Sequence, residues 1–230
     1  MKQVVVVGIV LARTNYGEAD RILTVLTRDH GKVRLVAKGV RKIKSKMAGG
    51  IELFSVNDLT YTAGKGDLGT LISSRLKRNY GNIVTDIQRT MYAYEVLKSF
   101  HKITEDAAEP EYFDLLNLCL QALDEAVPIQ NIEVWLAVHL LSIGGHTPDL
   151  AHDTQGQALA ESKCYMFDVE HMTFAQKDQG AYQSQHIKLL RLALRASSPQ
   201  KLSLVQVAQP VGTSVNALCR QMLRLHGYHA

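Results

Sequence analysis

Five cations, Lys38, Arg41, Lys42, Lys44 and Lys46, fall within nine positions, and no acidic residue lies between Asp29 and Glu52. Side chains held that close repel one another. A polyanion offsets the repulsion and adds the gain from released counterions. The chemistry this spacing suits is neutralisation of phosphates. The competing reading is a solvated surface loop, the usual fate of a charge run. Further cations stand nearby in the chain: Arg13, Arg34, Arg75, Lys77 and Arg78. Residues 1–80 hold 15 Lys and Arg against 6 Asp and Glu, a net of +9, whereas residues 81–230 have a net of −5. That asymmetry favours phosphate binding for the basic group as a whole.

No pattern in the chain supports catalysis. Residues 4–8 look like the first strand of a dinucleotide fold, but no second and third glycine follow at the needed spacing. Gly64, Lys65 and Gly66 lack the upstream glycine and downstream Ser or Thr of a phosphate loop. Glu18 and Asp20 lie in a turn beside Arg21 and read as turn and ion-pair residues. His152, Asp153, Cys164 and His171 match no standard zinc spacing. The expectation is no catalytic residue, no metal and no cofactor.

The elements that must position the cations read as strands. Residues 4–12 are apolar and β-branched, and a turn at 16–20 precedes residues 22–27. The turn at 29–31 leads into 33–37. After the basic loop come residues 51–62, a glycine-rich turn at 63–67, and residues 68–76. Five strands in about 75 residues match an OB-fold, a small barrel whose groove commonly binds oligonucleotides. Tyr61, Tyr80 and Phe54 are candidates to stack on bases. Phe54 sits in an apolar run and reads better as core. Aromatics make up 7% of the chain, so affinity is expected to rest on charge more than stacking.

Beyond Tyr80 the period becomes helical. Ile87, Met91, Tyr94 and Leu97 mark one face of a helix over 86–103. Pro110 opens a second helix, with Tyr112, Leu116, Cys119, Leu120 and Leu123 inward. A third carries Ile132, Trp135, Leu136, His139, Leu140 and Ile143. Residues 146–183 are polar, with a weak strand at 165–169. Ser184 and Ser214 are the expected caps of a fourth and a fifth helix. On the fourth, Lys188, Arg191 and Arg195 share a face beside Ile187, Leu190 and Leu194. A cationic edge next to an apolar stripe suits an acidic peptide ending in apolar residues, although an ordinary amphipathic helix gives the same pattern.

Cys119, Cys164 and Cys219 stand apart, so no disulfide framework or cysteine zinc cluster is indicated and a reducing compartment fits. The N-terminus does not read as a signal peptide, and no apolar run reaches the length of a membrane span.

Taken in order, the GIVL of residues 8–11, YGEADRI of 16–22, GKV of 31–33, AKGVR of 37–41, GGIELF of 49–54 and L-x-R of 76–78 resemble the RecO family of bacterial recombination mediators. The resemblance covers the first third of the chain closely and the helical remainder in architecture. It implies an α+β, multi-domain protein: a five-stranded OB-fold barrel at 1–80, then an all-helical domain at 81–230 with an irregular segment at about 146–183. It also implies a non-enzymatic protein of the cytoplasm, at the nucleoid, acting in DNA repair. Such a protein binds single- and double-stranded DNA and anneals complementary strands. Its partners are RecR, the acidic tail of single-strand-binding protein and, indirectly, the recombinase, with no membrane involved. DNA would lie on Arg13, Arg34, Lys38, Arg41, Lys42, Lys44, Lys46, Arg75, Lys77 and Arg78, and the tail on Lys188, Arg191 and Arg195. One departure stands out. Many members carry a four-cysteine zinc site after a Pro-x-Leu; here Pro148 and Leu150 are followed by His152, Gln155 and Gly156, and the second cysteine pair is missing. The main rival is an OB-fold RNA-binding protein of the translation machinery; a hydrolase with an unrecognised site is the other.

Overall fold

The computed structural model describes residues 3–43, 45, 47–64, 66–104 and 109–228. They form two compact units, Met1–Glu125 and Ala126–Ala230. The family of elements changes after residue 80, whereas the packing divides after residue 125, because the first two long helices lie against the strands.

In the first unit, β1 (Gln3–Tyr16), β2 (Asp20–Thr27), β3 (Lys32–Ala37), β4 (Ser55–Thr62) and β5 (Leu68–Asn79) close into a barrel in the order β1-β2-β3-β5-β4. This is the expected OB-fold. β1 serves two partners: its first half pairs with β4 and its second with β2, across a register shift between Val10 and Ala12. Such a bulge bends a strand and lets a small barrel close. Alternate residues point inward, so Val6, Val10, Leu23, Val25, Leu35, Ala37, Leu59, Tyr61 and Leu71 make one core.

The fourth strand starts later than its apolar pattern suggests. Ile51 is wholly buried in the barrel core, and Phe54 has φ 57°, which breaks extended backbone. The strand therefore begins at Ser55, after a 3-10 turn at Ala48–Gly50.

α1 (Ile87–Ile103) is capped by the Asp86 carboxylate, which accepts the Arg89 N–H at 2.9 Å. Its buried stripe is Ala93, Val96, Leu97 and Phe100. Of the four residues expected inward, only Leu97 is; Ile87, Met91 and Tyr94 are 76%, 61% and 50% exposed. The two stripes lie about 120° apart on a helix of 3.6 residues per turn. Periodicity cannot choose between stripes that share Leu97, and packing against β1 and α2 (Pro110–Asp124) selects the one with the small Ala93.

The second unit holds α3 (Ile129–Ile143), a ribbon of β6 (Tyr165–Asp168) and β7 (Thr173–Gln176), α4 (Ser184–Arg195), the short α5 (Pro199–Ser203) and α6 (Gln209–Leu225). Trp135 of α3 is buried and donates its indole N–H to the Ala196 carbonyl at 2.7 Å, tying α3 to the end of α4. α4 is capped by Gln183, not Ser184, with Gln183 and His186 bonding each other's backbone reciprocally. α6 starts five residues before Ser214, because Pro210 is tolerated in a first turn and Ser214 instead bonds the Pro210 carbonyl. The segment at 146–183 is held by Asp149 and Asp153, which accept nearby backbone N–H groups, and by Phe174. Around Phe174 the rings of Tyr165, Phe167 and Tyr182 stand edge-on at 6.2, 5.1 and 5.8 Å.

Burial holds the imidazoles of His101, His139 and His186 below their ordinary pKa. The unfolded chain therefore takes up protons near pH 6.5 that the folded chain refuses. Stability is present above that pH and is lost as pH falls towards the folded values. Urea midpoints are expected to drop between pH 7.5 and 5.5, and His139→Gln is expected to flatten part of that slope.

Candidate nucleic-acid interface

The basic loop is anchored at both ends. Val40 and Ile51 are 3% and 0% exposed in the barrel core, while Lys38, Arg41 and Lys42 are exposed. The loop is also stitched to the β1–β2 turn. The Gly39 N–H donates to the Asp20 carboxylate at 2.7 Å, the Arg41 N–H to the Ala19 carbonyl at 2.9 Å, and the Arg41 guanidinium to the Gly17 carbonyl at 3.2 Å. Asp20 is thus a structural carboxylate. Lys44 and Lys46 lie outside the described residues.

Outward positions of β3 continue the basic surface. Leu35 and Ala37 point into the core, so Lys32, Arg34 and Val36 face out, and Lys38 follows at the strand's end. Alternate residues of a strand are about 6.6 Å apart. Lys32 is partly spent: its ammonium donates to the carbonyls of His101 and Thr104, at the C-terminal end of α1, where a cation suits the helix dipole.

The ten expected DNA-binding residues divide by whether an acid already holds them. Arg13 pairs with Glu52, Lys77 with Asp58 at 3.4 Å, and Arg78 with Glu125 at 3.8 Å. Arg78 also bonds Gln121 and lies over the Tyr80 ring, 5.1 Å from its centre. Arg34, Lys38, Lys42 and Arg75 are exposed and have no acidic partner among the described residues. Arg75 follows Ser74, whose hydroxyl bonds the Gly50 carbonyl, so it lies close to the far end of the basic loop.

The proposed stacking aromatics are interior. Phe54, Tyr61 and Tyr80 are 4%, 9% and 0% exposed, and the Tyr80 hydroxyl donates to Asn117 at 2.6 Å. Inward alternation in β4 buries Tyr61, Tyr80 is held by Asn117 of α2, and Phe54, core as its apolar run suggests, packs edge-on to Tyr94 of α1 at 5.1 Å. Tyr16, which is not among the aromatics expected from sequence, is the exposed one beside the β1–β2 turn. Its position one residue before a turn glycine, next to the most basic segment, was the available signal.

On α4 the three cations have separate fates. Lys188 pairs with Glu161, Arg191 donates to the Leu150 carbonyl at 2.7 Å, and Arg195 is exposed in the last turn. The apolar stripe expected beside them is not a groove: Ile187 and Leu190 are core. A groove of about 250 Å³ lies on the other side, lined by Lys188, Leu189, Leu192, Val205, Val207 and Val211. Among the described residues no three His, Cys, Asp or Glu side chains gather in a way that could hold a metal ion. Burial pushes the thiols of Cys119 and Cys219 up to about 12, which leaves them unreactive. No helix among the described residues is long and apolar enough to cross a membrane.

A closed five-stranded OB barrel with an open cationic rim, followed by helices, defines the class. Residues 1–80 match the family model for the N terminal of recombination protein O, and residues 84–229 match that for its C terminal. The chain belongs to the RecO family. It is 36% identical over 144 residues to the DNA repair protein RecO of Dehalococcoides mccartyi strain 195, which covers 62% of this chain and 56% of the relative. The corresponding protein of Listeria welshimeri is 33% identical over the same shares, and that of Halalkalibacterium halodurans is 28% identical over 193 residues, 80% of this chain and 75% of the relative. The chain thus spans little more than half the length of the first two.

Paired and unpaired cations should behave differently. Lys42→Ala with Arg75→Ala is expected to lower the salt slope of single-strand DNA binding by about 0.7 for each phosphate no longer neutralised. Lys77→Ala with Arg78→Ala, whose charges Asp58, Glu125 and Gln121 already engage, is expected to change it less. Affinities measured across a salt series for both double variants make the comparison.

Proposed function

We propose that this chain is a non-enzymatic recombination mediator that binds single- and double-stranded DNA and anneals complementary strands. The observation that carries this reading is the set of cations Arg34, Lys38, Lys42 and Arg75, without an acidic partner among the described residues, around a barrel that turns Tyr61 and Phe54 inward. Phosphate contacts position a strand without reading it, so bases held only through their backbone keep their edges available for pairing. Two strands repel each other, and a rim of lysine and arginine removes that repulsion without covering the bases.

In this reading residues 1–80 are the nucleic-acid-binding domain and residues 81–230 the partner-binding domain, working in the cytoplasm at the nucleoid. The partners are RecR, the acidic tail of single-strand-binding protein and, through them, the recombinase. Arg195, together with Lys188 at the edge of the apolar groove, is the best-placed charge for the tail. Arg191 is better regarded as a structural residue, since its guanidinium already serves the Leu150 carbonyl. Hydrogen bonds to charged groups are worth about 1.5–3 kcal/mol. Lys188→Glu with Arg195→Glu is expected to cut binding of a tail peptide at least tenfold and to spare DNA binding; calorimetry with the peptide and an oligonucleotide checks both.

A strand-pairing assay tests the main reading. Annealing should be fast at low salt, fall steeply as salt rises, and ignore ATP. Pairing no faster than spontaneous, with DNA binding intact, rules out annealing. Equal-length RNA in the same assay tests the translation-machinery alternative, which requires RNA to bind more tightly than single-stranded DNA.

A further inference from the structure

β3 and β5 start side by side. They pair in parallel, with Arg34 opposite Leu68, Leu35 opposite Gly69 and Val36 opposite Thr70. The β2–β3 turn and the β4–β5 turn therefore meet at one end of the barrel, opposite the basic loop. Between them lies a cleft of about 420 Å³, lined among others by His30, Lys32, Arg34, Tyr61, Asp67 and Gly69. That volume falls within the range of small-molecule sites.

Tyr61 sets the chemistry of the cleft. Its ring belongs to the barrel core and the residue is 9% exposed, while its hydroxyl is not enclosed and has no hydrogen-bond partner among the described residues. Two of the other buried tyrosines are bonded within the fold: Tyr80 donates to Asn117, and the Tyr165 hydroxyl accepts the Ala160 N–H. Burial raises the Tyr61 phenol above its ordinary pKa, so it stays a neutral donor. Glycine at 69 is what admits the ring. A Cβ there would stand 3.0 Å from both the Tyr61 ring and a Leu35 methyl. The Tyr61 hydroxyl is not among the enclosed unpartnered polar atoms, so it reaches solvent at the cleft and is available as a donor to whatever enters.

The rim is cationic. Arg34 is exposed and has no acidic partner among the described residues, and the Lys32 ammonium stands beside the end of α1. Asp67 is the one acid among the residues lining the cleft. His101, behind Lys32 and Arg34, is held neutral by burial and by those two charges. A neutral phenol donor under a rim of positive charge suits a flat heterocycle with an attached phosphate.

We propose that this cleft holds one nucleotide of single-stranded DNA, its base against Tyr61 and its phosphate on Arg34. The inference rests on the DNA-binding reading and deepens it. A strand crossing β3 from Lys38 towards Arg34 would be anchored at one base and held elsewhere only by phosphates. A base in a duplex has its pairing edge occupied and is stacked on both sides, so the cleft selects single strands.

Tyr61→Phe keeps the ring that packs the core and removes only the hydroxyl. It is expected to weaken binding of a short thymidine oligonucleotide about fivefold, the effect of one neutral hydrogen bond. Its salt slope and its duplex affinity should stay unchanged. Arg34→Gln should weaken both substrates and lower the single-strand slope by about 0.7. Irradiating the full chain with an iododeoxyuridine-substituted oligonucleotide should crosslink the peptides containing His30, Arg34 or Tyr61. Wild-type single-strand affinity in Tyr61→Phe, with crosslinks confined to residues 38–42, overturns the cleft and leaves DNA binding standing. A wild-type chain that binds no oligonucleotide overturns both.

Discussion

The basic rim exists because two apolar side chains hold it down. Lysines and arginines a few positions apart repel by roughly 0.6 kcal/mol per pair at 7 Å in water, and by several times that near a low-dielectric surface. Burying Val40 and Ile51 in the barrel core contributes about 1.5–3 kcal/mol each. The bonds to Asp20, Ala19 and Gly17 add direction, because they fix where the loop leaves β3. Anchoring therefore outweighs repulsion, and Lys38, Arg41 and Lys42 are presented from a fixed frame.

The second unit solves a different problem. Its irregular segment holds one cysteine, Cys164, and so has no cysteine pair to staple it. Phe174, surrounded edge-on by Tyr165, Phe167 and Tyr182, gives the ribbon a small core of its own. Aromatic pairs in this geometry add about 0.5–1.5 kcal/mol each beyond the area they bury. Asp149 and Asp153 close the turns on either side with bonds to backbone N–H groups.

The five strands and the long third connection are legible from local alternation, since an OB barrel buries every second residue. The exposure of individual side chains was less so. Tyr61 and Tyr80 carry the same chemistry in sequence as exposed stacking aromatics, and only closure of the barrel turns them inward. The inward stripe of α1 was ambiguous because two apolar stripes share Leu97, and the choice belongs to the surface it meets. The ion pairs that occupy Arg13, Lys77 and Arg78 join residues 19 to 47 positions apart, beyond the reach of any local pattern. The starts of α4 and α6 were misplaced for a simpler reason. Serine is a good cap, but Gln183 with His186 and a first-turn Pro210 do the same work without it.

The bond from the Trp135 indole to the Ala196 carbonyl has an optical consequence. The chain contains a single tryptophan, and it lies in the unit Ala126–Ala230. Emission excited at long wavelength thus reports on the helices of that unit and is blind to the barrel. Circular dichroism sees both. If the two units melt separately, the two signals will part company, and a single fluorescence midpoint would describe only the half of the molecule that carries the indole.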